Sequence, residues 1–195
     1  METQQIIALV TFAFVSTITP GPNNIILMTS GANVGFTRTL PHILGIVFGF
    51  NLMIVAVGFG LIEIFNYYPM THSVLQVGCI GYLLYLAIKT AVSRSDYNKS
   101  ADYEPLNFVA AANFQWVNPK AWSMALSAIS IYNISGQWQE VIIISLIFAI
   151  INIPAASAWA VTGQKLQSIL TSQTSVKYFN YGMASLLLIS AVMMI

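Results

Sequence analysis

From Gln139 to Val161 the chain runs for 23 residues with Glu140 as its sole charged side chain. As a helix, that stretch rises about 35 Å, enough to cross the roughly 30 Å hydrocarbon core of a bilayer. Five more stretches have the same character. The six run from Gln5 to Ser30, Leu40 to Asn66, His72 to Val92, Phe108 to Tyr132, Gln139 to Val161 and Tyr178 to Ile195. Only 7% of the 195 residues are charged, and the mean hydropathy is +0.75. A soluble domain carries about 25% charged residues, and one this small could not hide so much apolar surface. The sequence therefore predicts an all-α membrane protein with six transmembrane helices, and the lipid bilayer is its first partner. The opening Met-Glu-Thr-Gln-Gln has no basic residue, so the first apolar segment is expected to be retained rather than cleaved as a signal. A net charge of +1 gives no footprint for nucleic acid. Cys79 is the only cysteine, so it forms no intrachain disulfide and reads as a packing residue.

The basic residues set an orientation. Arg38 falls in the first connection, Lys89, Arg94 and Lys99 in or beside the third, and Lys165 and Lys177 in the fifth. The seventh, Lys120, lies inside span four. Basic loops face the cytoplasm, which puts both termini on the outer side of a cytoplasmic (inner) membrane. The polar stretch "SRSDYNKSADYEP" divides the chain into a first repeat (1–92), a cytoplasmic linker (93–107) and a second repeat (108–195). Three spans per half make the second half enter from the opposite side. The expected architecture is two inverted three-helix repeats, a common plan for secondary transporters.

Two spans carry breaks. "TITPGPNN" (Thr17 to Asn24) interrupts span one. The apolar run before it rises only about 20 Å as a helix, too short to cross. The break therefore falls within the bilayer. Pro20 and Pro22 supply no N–H and clash one turn back, and Gly21 accepts unusual backbone angles. Asn23 and Asn24 bring amides. Irregular backbone at that depth needs protein or a wet cavity around it. A kink with a purely structural role and a functional discontinuity both fit. In span four, "FQWVNPKAW" places Gln115, Asn118, Pro119 and Lys120 at a similar position. Paired breaks in corresponding spans point to a transporter site, so helices 1 and 4 are expected to be broken around it. Three roles fit Lys120: a counter-charge for a substrate carboxylate, a proton-sensitive group, or a lysine snorkelling to the interface.

Other features are weaker. Asn51 and Tyr85 are secondary candidates for the same site. Gly45 and Gly49 form a GxxxG pair, suited to tight internal packing, with a homodimer face as the second reading. Thr39 before Leu40-Pro41 reads as the N-cap of span two. Asn152 and Pro154 predict a kink in span five. His42 and His72 lie near span ends and too far apart in sequence to read as a metal pair. No metal-ligand spacing, phosphate loop or nucleophile elbow occurs, so neither a cofactor nor ATP-driven transport is expected.

The stretches "ITPGPNNIILMTSGANVGF", "GIVFGF", "GYLLYLAIK" and Asn118-Pro119-Lys120 together resemble the LysE/RhtB family of amino-acid exporters. "NIPAASAWAVTGQKLQSIL" is similar to its cysteine and O-acetylserine branch. The resemblance extends over almost the whole chain. It implies export of neutral or basic amino acids from the cytoplasm, with protons as the coupling ion. The site it leaves in view comprises Pro20 to Asn24, Gln115 and Asn118 to Lys120. The alternatives are a passive channel, a structural membrane module or an intramembrane enzyme. The last would need a nucleophile and base at depth, where the sequence offers no histidine.

Overall fold

The computed structural model describes residues 1–61, 70–92, 103–167, 170 and 172–192. Among these the chain is all helix and turn. The helices are α1 (Thr3–Ile18), α2 (Pro22–Ala56), α3 (Met70–Val92), α4 (Phe108–Phe114), α5 (Pro119–Tyr132), α6 (Trp138–Gln167) and α7 (Gln173–Val192). A π turn, Val57–Leu61, extends α2, and a 3₁₀ turn, Gln115–Val117, follows α4. Two stretches, Pro22–Leu61 and Trp138–Leu166, are by themselves long and apolar enough to cross a membrane.

Local chemistry explains the helix limits. A capping box opens α1, with Glu2 N–H donating to Gln5 Oε1 at 2.9 Å. Pro20 cannot continue the ladder, and Pro22 takes the first turn of α2, where its missing N–H costs nothing. Within α2 the chain reverses at Gly35, whose φ of 79° lies in the left-handed region that favours glycine. Gln164 Oε1 then accepts the Phe36 N–H at 2.8 Å and caps the returning arm. Asn107 Oδ1 caps α4 and Asn118 Oδ1 caps α5.

The contacts fix the direction of each element. Phe12 stacks on Phe148 and Gly31 abuts Ala160, so α1 and the first arm of α2 run parallel to α6. Past Gly35 the direction inverts. Ser145 donates to Asn51 Oδ1 at 2.6 Å, and Gly58 sits against Val141. Gly45 packs on Phe108 and Ala111, Gly49 on Ala112 and Gly58 near Ile129, so α4 and α5 follow the returning arm. They therefore run opposite to α1. The helices α3 and α7 pack against each other, and Tyr82 of α3 lies 5.3 Å from the Phe114 ring.

Two apolar clusters result. One gathers Ile25, Leu27, Ile43, Leu83, Phe114 and Leu187. The other gathers Leu9, Phe50, Met53, Ala125, Ile144 and Phe148. The polar breaks lie between them. Large apolar side chains remain exposed on the outer faces, among them Phe14, Phe48, Val77, Ile88, Ile150 and Ile189. Exposed apolar surface on this scale suits lipid rather than water. Since lipid tails are as apolar as the side chains, close packing and internal hydrogen bonds hold such a bundle together.

The structure corrects several sequence expectations. Thr39 is not an N-cap. It lies inside the returning arm and donates to Gly35 O at 2.8 Å, because the glycine turn starts that arm at Phe36. Span five starts one residue earlier than expected and runs six residues further, to Gln167, and span six begins at Gln173 rather than Tyr178. The Gly45 and Gly49 pair, by contrast, packs internally against α4, the first of its two expected readings. Glu63, Asn66, Arg94, Lys99 and Ile195 lie outside the described residues.

Candidate functional site

At the end of α1 the carbonyls that lose their helical partners are each claimed by a neighbour. Thr19 Oγ1 donates to Ser16 O at 3.0 Å. Asn24 Nδ2 donates to Thr17 O at 2.8 Å and Thr19 O at 2.7 Å. Trp159 Nε1, from α6, donates to Ile18 O at 3.1 Å. Lys120 Nζ, from α5, donates to Thr19 O at 2.6 Å, Thr19 Oγ1 at 2.9 Å and Pro20 O at 3.3 Å. Gly21 O accepts from Ile25 N at 3.0 Å. Backbone acceptors that lose their ladder must find other donors, and here three helices supply them. The ammonium of Lys120 also meets the negative end of the α1 dipole.

The start of α2 is different. Gly21 is its N-cap and brings no side chain to the first N–H groups. An uncapped helix N-terminus presents donors and partial positive charge, a suitable seat for a carboxylate. Beside it the two breaks meet through an amide pair. Asn23 Nδ2 donates to Gln115 Oε1 at 2.8 Å, and Gln115 Nε2 donates back to Asn23 Oδ1 at 3.3 Å and to Ala111 O at 2.8 Å. Asn118 is 2% exposed, and its Oδ1 accepts the Lys120 N–H at 3.2 Å.

These groups line one cavity. Gly21, Asn23, Asn24, Gln115, Asn118 and Lys120 form its polar wall. Ile46, Phe50, Ala121 and Met124 form the apolar wall, and Ser16, Thr17 and Asn152 complete it. It leaves about 30 Å³ for water centres, room for roughly two waters. It is narrow at its centre and partly open to the surface.

The candidate residues divide by role. Pro20, Pro22 and Pro119 shape the helix ends and do not line the cavity. Asn24 is occupied in holding the end of α1, whereas Asn23 spans the gap between the breaks. Asn51 does not reach the cavity, since it donates to Val47 O at 2.7 Å and accepts from Ser145. Tyr85 is 54% exposed and stacks on Tyr82 at 5.8 Å. Sequence reasoning missed Trp159 altogether. It had read Asn152 as part of a kink. Neither carried a local signal, because both act across α6.

This division makes a test. Asn24→Ala strands the Thr17 carbonyl, and an unsatisfied buried acceptor costs about 1–3 kcal/mol. The variant is expected to melt several degrees lower in detergent. Asn24→Asp is expected to do the same, since a carboxylate cannot donate. Wild-type midpoints for both variants would remove the structural role of Asn24.

A family model described as LysE type translocator matches residues 14–195. The chain belongs to the LysE translocator family. Among LysE relatives, a cysteine/O-acetylserine efflux protein of Klebsiella pneumoniae subsp. pneumoniae is 30% identical over 192 residues, covering 95% of this chain and 94% of the relative. Similarly named proteins of Salmonella choleraesuis and Escherichia coli O1:K1 / APEC are 29% and 27% identical. The Salmonella match covers 80% of this chain and 81% of the relative, and the Escherichia match covers 82% of each. No solved structure matches the chain. The LysE match spans both breaks and every cavity-lining residue.

Proposed function

We propose that this translocator is a secondary exporter of small neutral amino acids, working by alternating access where the two breaks meet. The observation that carries the reading is the junction of Lys120, the uncapped α2 N-terminus and the Asn23–Gln115 pair in one narrow cavity. Lys120 and the α2 N–H groups hold the α-carboxylate. The Asn23 and Gln115 carbonyl oxygens accept from the ammonium. No carboxylate lines the cavity, so a cationic side chain would find no counter-ion, and a neutral cargo is favoured over a basic one. The names of the relatives point the same way, since cysteine and O-acetylserine are both small and zwitterionic.

The proton gradient supplies the driving force. Among the described residues Glu140 is the one acidic side chain within a helix, and it is committed to a turn, accepting the Ser135 N–H at 3.0 Å. The coupled charge therefore rides on Lys120 or on the substrate. The antiparallel run of α1 and the first arm of α2 against α4–α5 supports two inverted repeats, 1–92 and 108–195, joined by 93–107. The two termini face outward from the inner membrane. Reporter fusions at Val34, Asn98 and Leu170 should all report cytoplasmic, and an outward signal at Asn98 would overturn this orientation.

The deciding experiment loads cells overproducing the protein with a panel of neutral and basic amino acids. Cysteine or O-acetylserine should accumulate outside against its gradient and stop doing so with an uncoupler. Downhill leakage alone would make the protein a channel, and no efflux of any amino acid would remove the transport reading.

A further inference from the structure

The chain that joins the two halves returns to the bundle before α4. Tyr103 is 7% exposed and Leu106 8%. Leu106 packs into the cluster of Ile25 and Phe114. The Tyr103 hydroxyl lies 3.1 Å from Ser30 Oγ, itself fully buried on the first arm of α2. Burial pushes this phenol up to about 12, so it stays a neutral hydrogen-bonding group. Ser30 is six residues beyond the cavity-lining Asn24, about 9 Å along the arm toward the Gly35 turn. Tyr103 thus sits on the linker side of the cavity.

A second observation concerns the same end of the hairpin. Asn33 Oδ1 and both ring nitrogens of His42 are buried and have no partner among the described residues. Counting from the turn at Gly35, Ser30 and His42 lie about 8 and 10 Å deep on the two arms. Asn33 Nδ2 is already used, donating to Thr29 O at 2.8 Å and Asn180 Oδ1 at 3.3 Å. Three unpaired buried polar atoms, all within about 10 Å of the turn along the two arms, are costly, and native proteins rarely keep them dry. They fit a chamber that is wet in another conformation.

We propose that Tyr103 is the inner gate of the exporter, closing a polar chamber lined by Ser30, Asn33 and His42 between the cytoplasm and the central cavity. The gate rests on the transport reading and the orientation above. Because the phenol hangs on the connection between the halves, rocking one half against the other lifts it from Ser30. Cargo leaving the cytoplasm then passes Asn33 and His42 before it reaches Lys120.

Labelling rates test this without any transport assay. A Cys79→Ala, Met124→Cys protein carries one thiol in the central cavity. It is treated with a charged, membrane-impermeant thiol reagent in inside-out and right-side-out vesicles. Tyr103→Ala should speed labelling at least tenfold in inside-out vesicles only. Tyr103→Phe and Ser30→Ala, which remove one hydrogen bond and keep the packing, should each speed it about fivefold. Unchanged rates in all three variants overturn the gate. If Tyr103→Ala does not accumulate, the Phe and Ser30 variants decide alone. Acceleration confined to right-side-out vesicles keeps the gate and overturns the orientation.

Discussion

Lys120→Ala should abolish amino-acid export while leaving the protein level in the membrane intact. Charge-assisted hydrogen bonds are roughly twice as strong as neutral ones, and losing them from a water-poor site costs about 3 kcal/mol, more than a hundredfold in transport. The ammonium is already docked on Thr19 and Pro20. On the proposed reading, a carboxylate arriving at the α2 N-terminus would compete for that ammonium and so loosen the join between the breaks. Gly21→Ala offers an independent approach to the same contact. A Cβ there would lie 2.7 Å from Lys120 Cδ and 3.2 Å from Nζ. A flexible lysine moves aside without unfolding the protein, so Gly21→Ala should keep its melting midpoint and lose about tenfold in export. Wild-type export from Lys120→Ala would remove the lysine from the site.

Gly163→Val should have the largest effect on stability. A Cβ at Gly163 would overlap Met28 O, and one at Gly31 would overlap Ala160 O. These are backbone atoms of two long helices and cannot step aside. Forcing them apart costs about 3 kcal/mol or more, and it strikes where the first arm of α2 crosses α6. The variant is expected to fail to give a monodisperse peak in detergent. Gly78→Ala and Gly182→Ala meet nothing within 4 Å and should behave as the wild type. If Gly163→Val ran with them, the crossing would not be the close contact described.

The breaks were legible in the sequence because proline acts categorically. It removes a donor wherever it stands, and two of them around Gly21 left no continuous helix to draw. Their expected depth in the bilayer rests on length alone. Lys120 was legible because a charge amid apolar residues needs a partner. What the sequence could not separate was Asn23 from Asn24. Adjacent residues on a helix point about 100° apart, so identical side chains took unrelated tasks, one across the breaks and one back onto α1. The sequence placed the first connection between Ser30 and Leu40, but its turn residue, Gly35, was hidden for a different reason. Its role depends on a positive φ, which a glycine permits without announcing, and Thr39-Leu40-Pro41 offered a more conspicuous helix start. Trp159 and Tyr103 act through tertiary contacts whose partners lie 141 and 73 residues away, beyond any local pattern.

The Gly35 reversal has a mechanical consequence. A connection of one residue between two long arms leaves almost no slack. The first arm carries Asn23 and the returning arm carries Ile46 and Phe50, the polar and apolar walls of one cavity. On the proposed alternating-access reading, such a hairpin would swing as a single lever. A tilt that frees the amide pair would also displace the aromatic wall and release the cargo from both sides in one stroke.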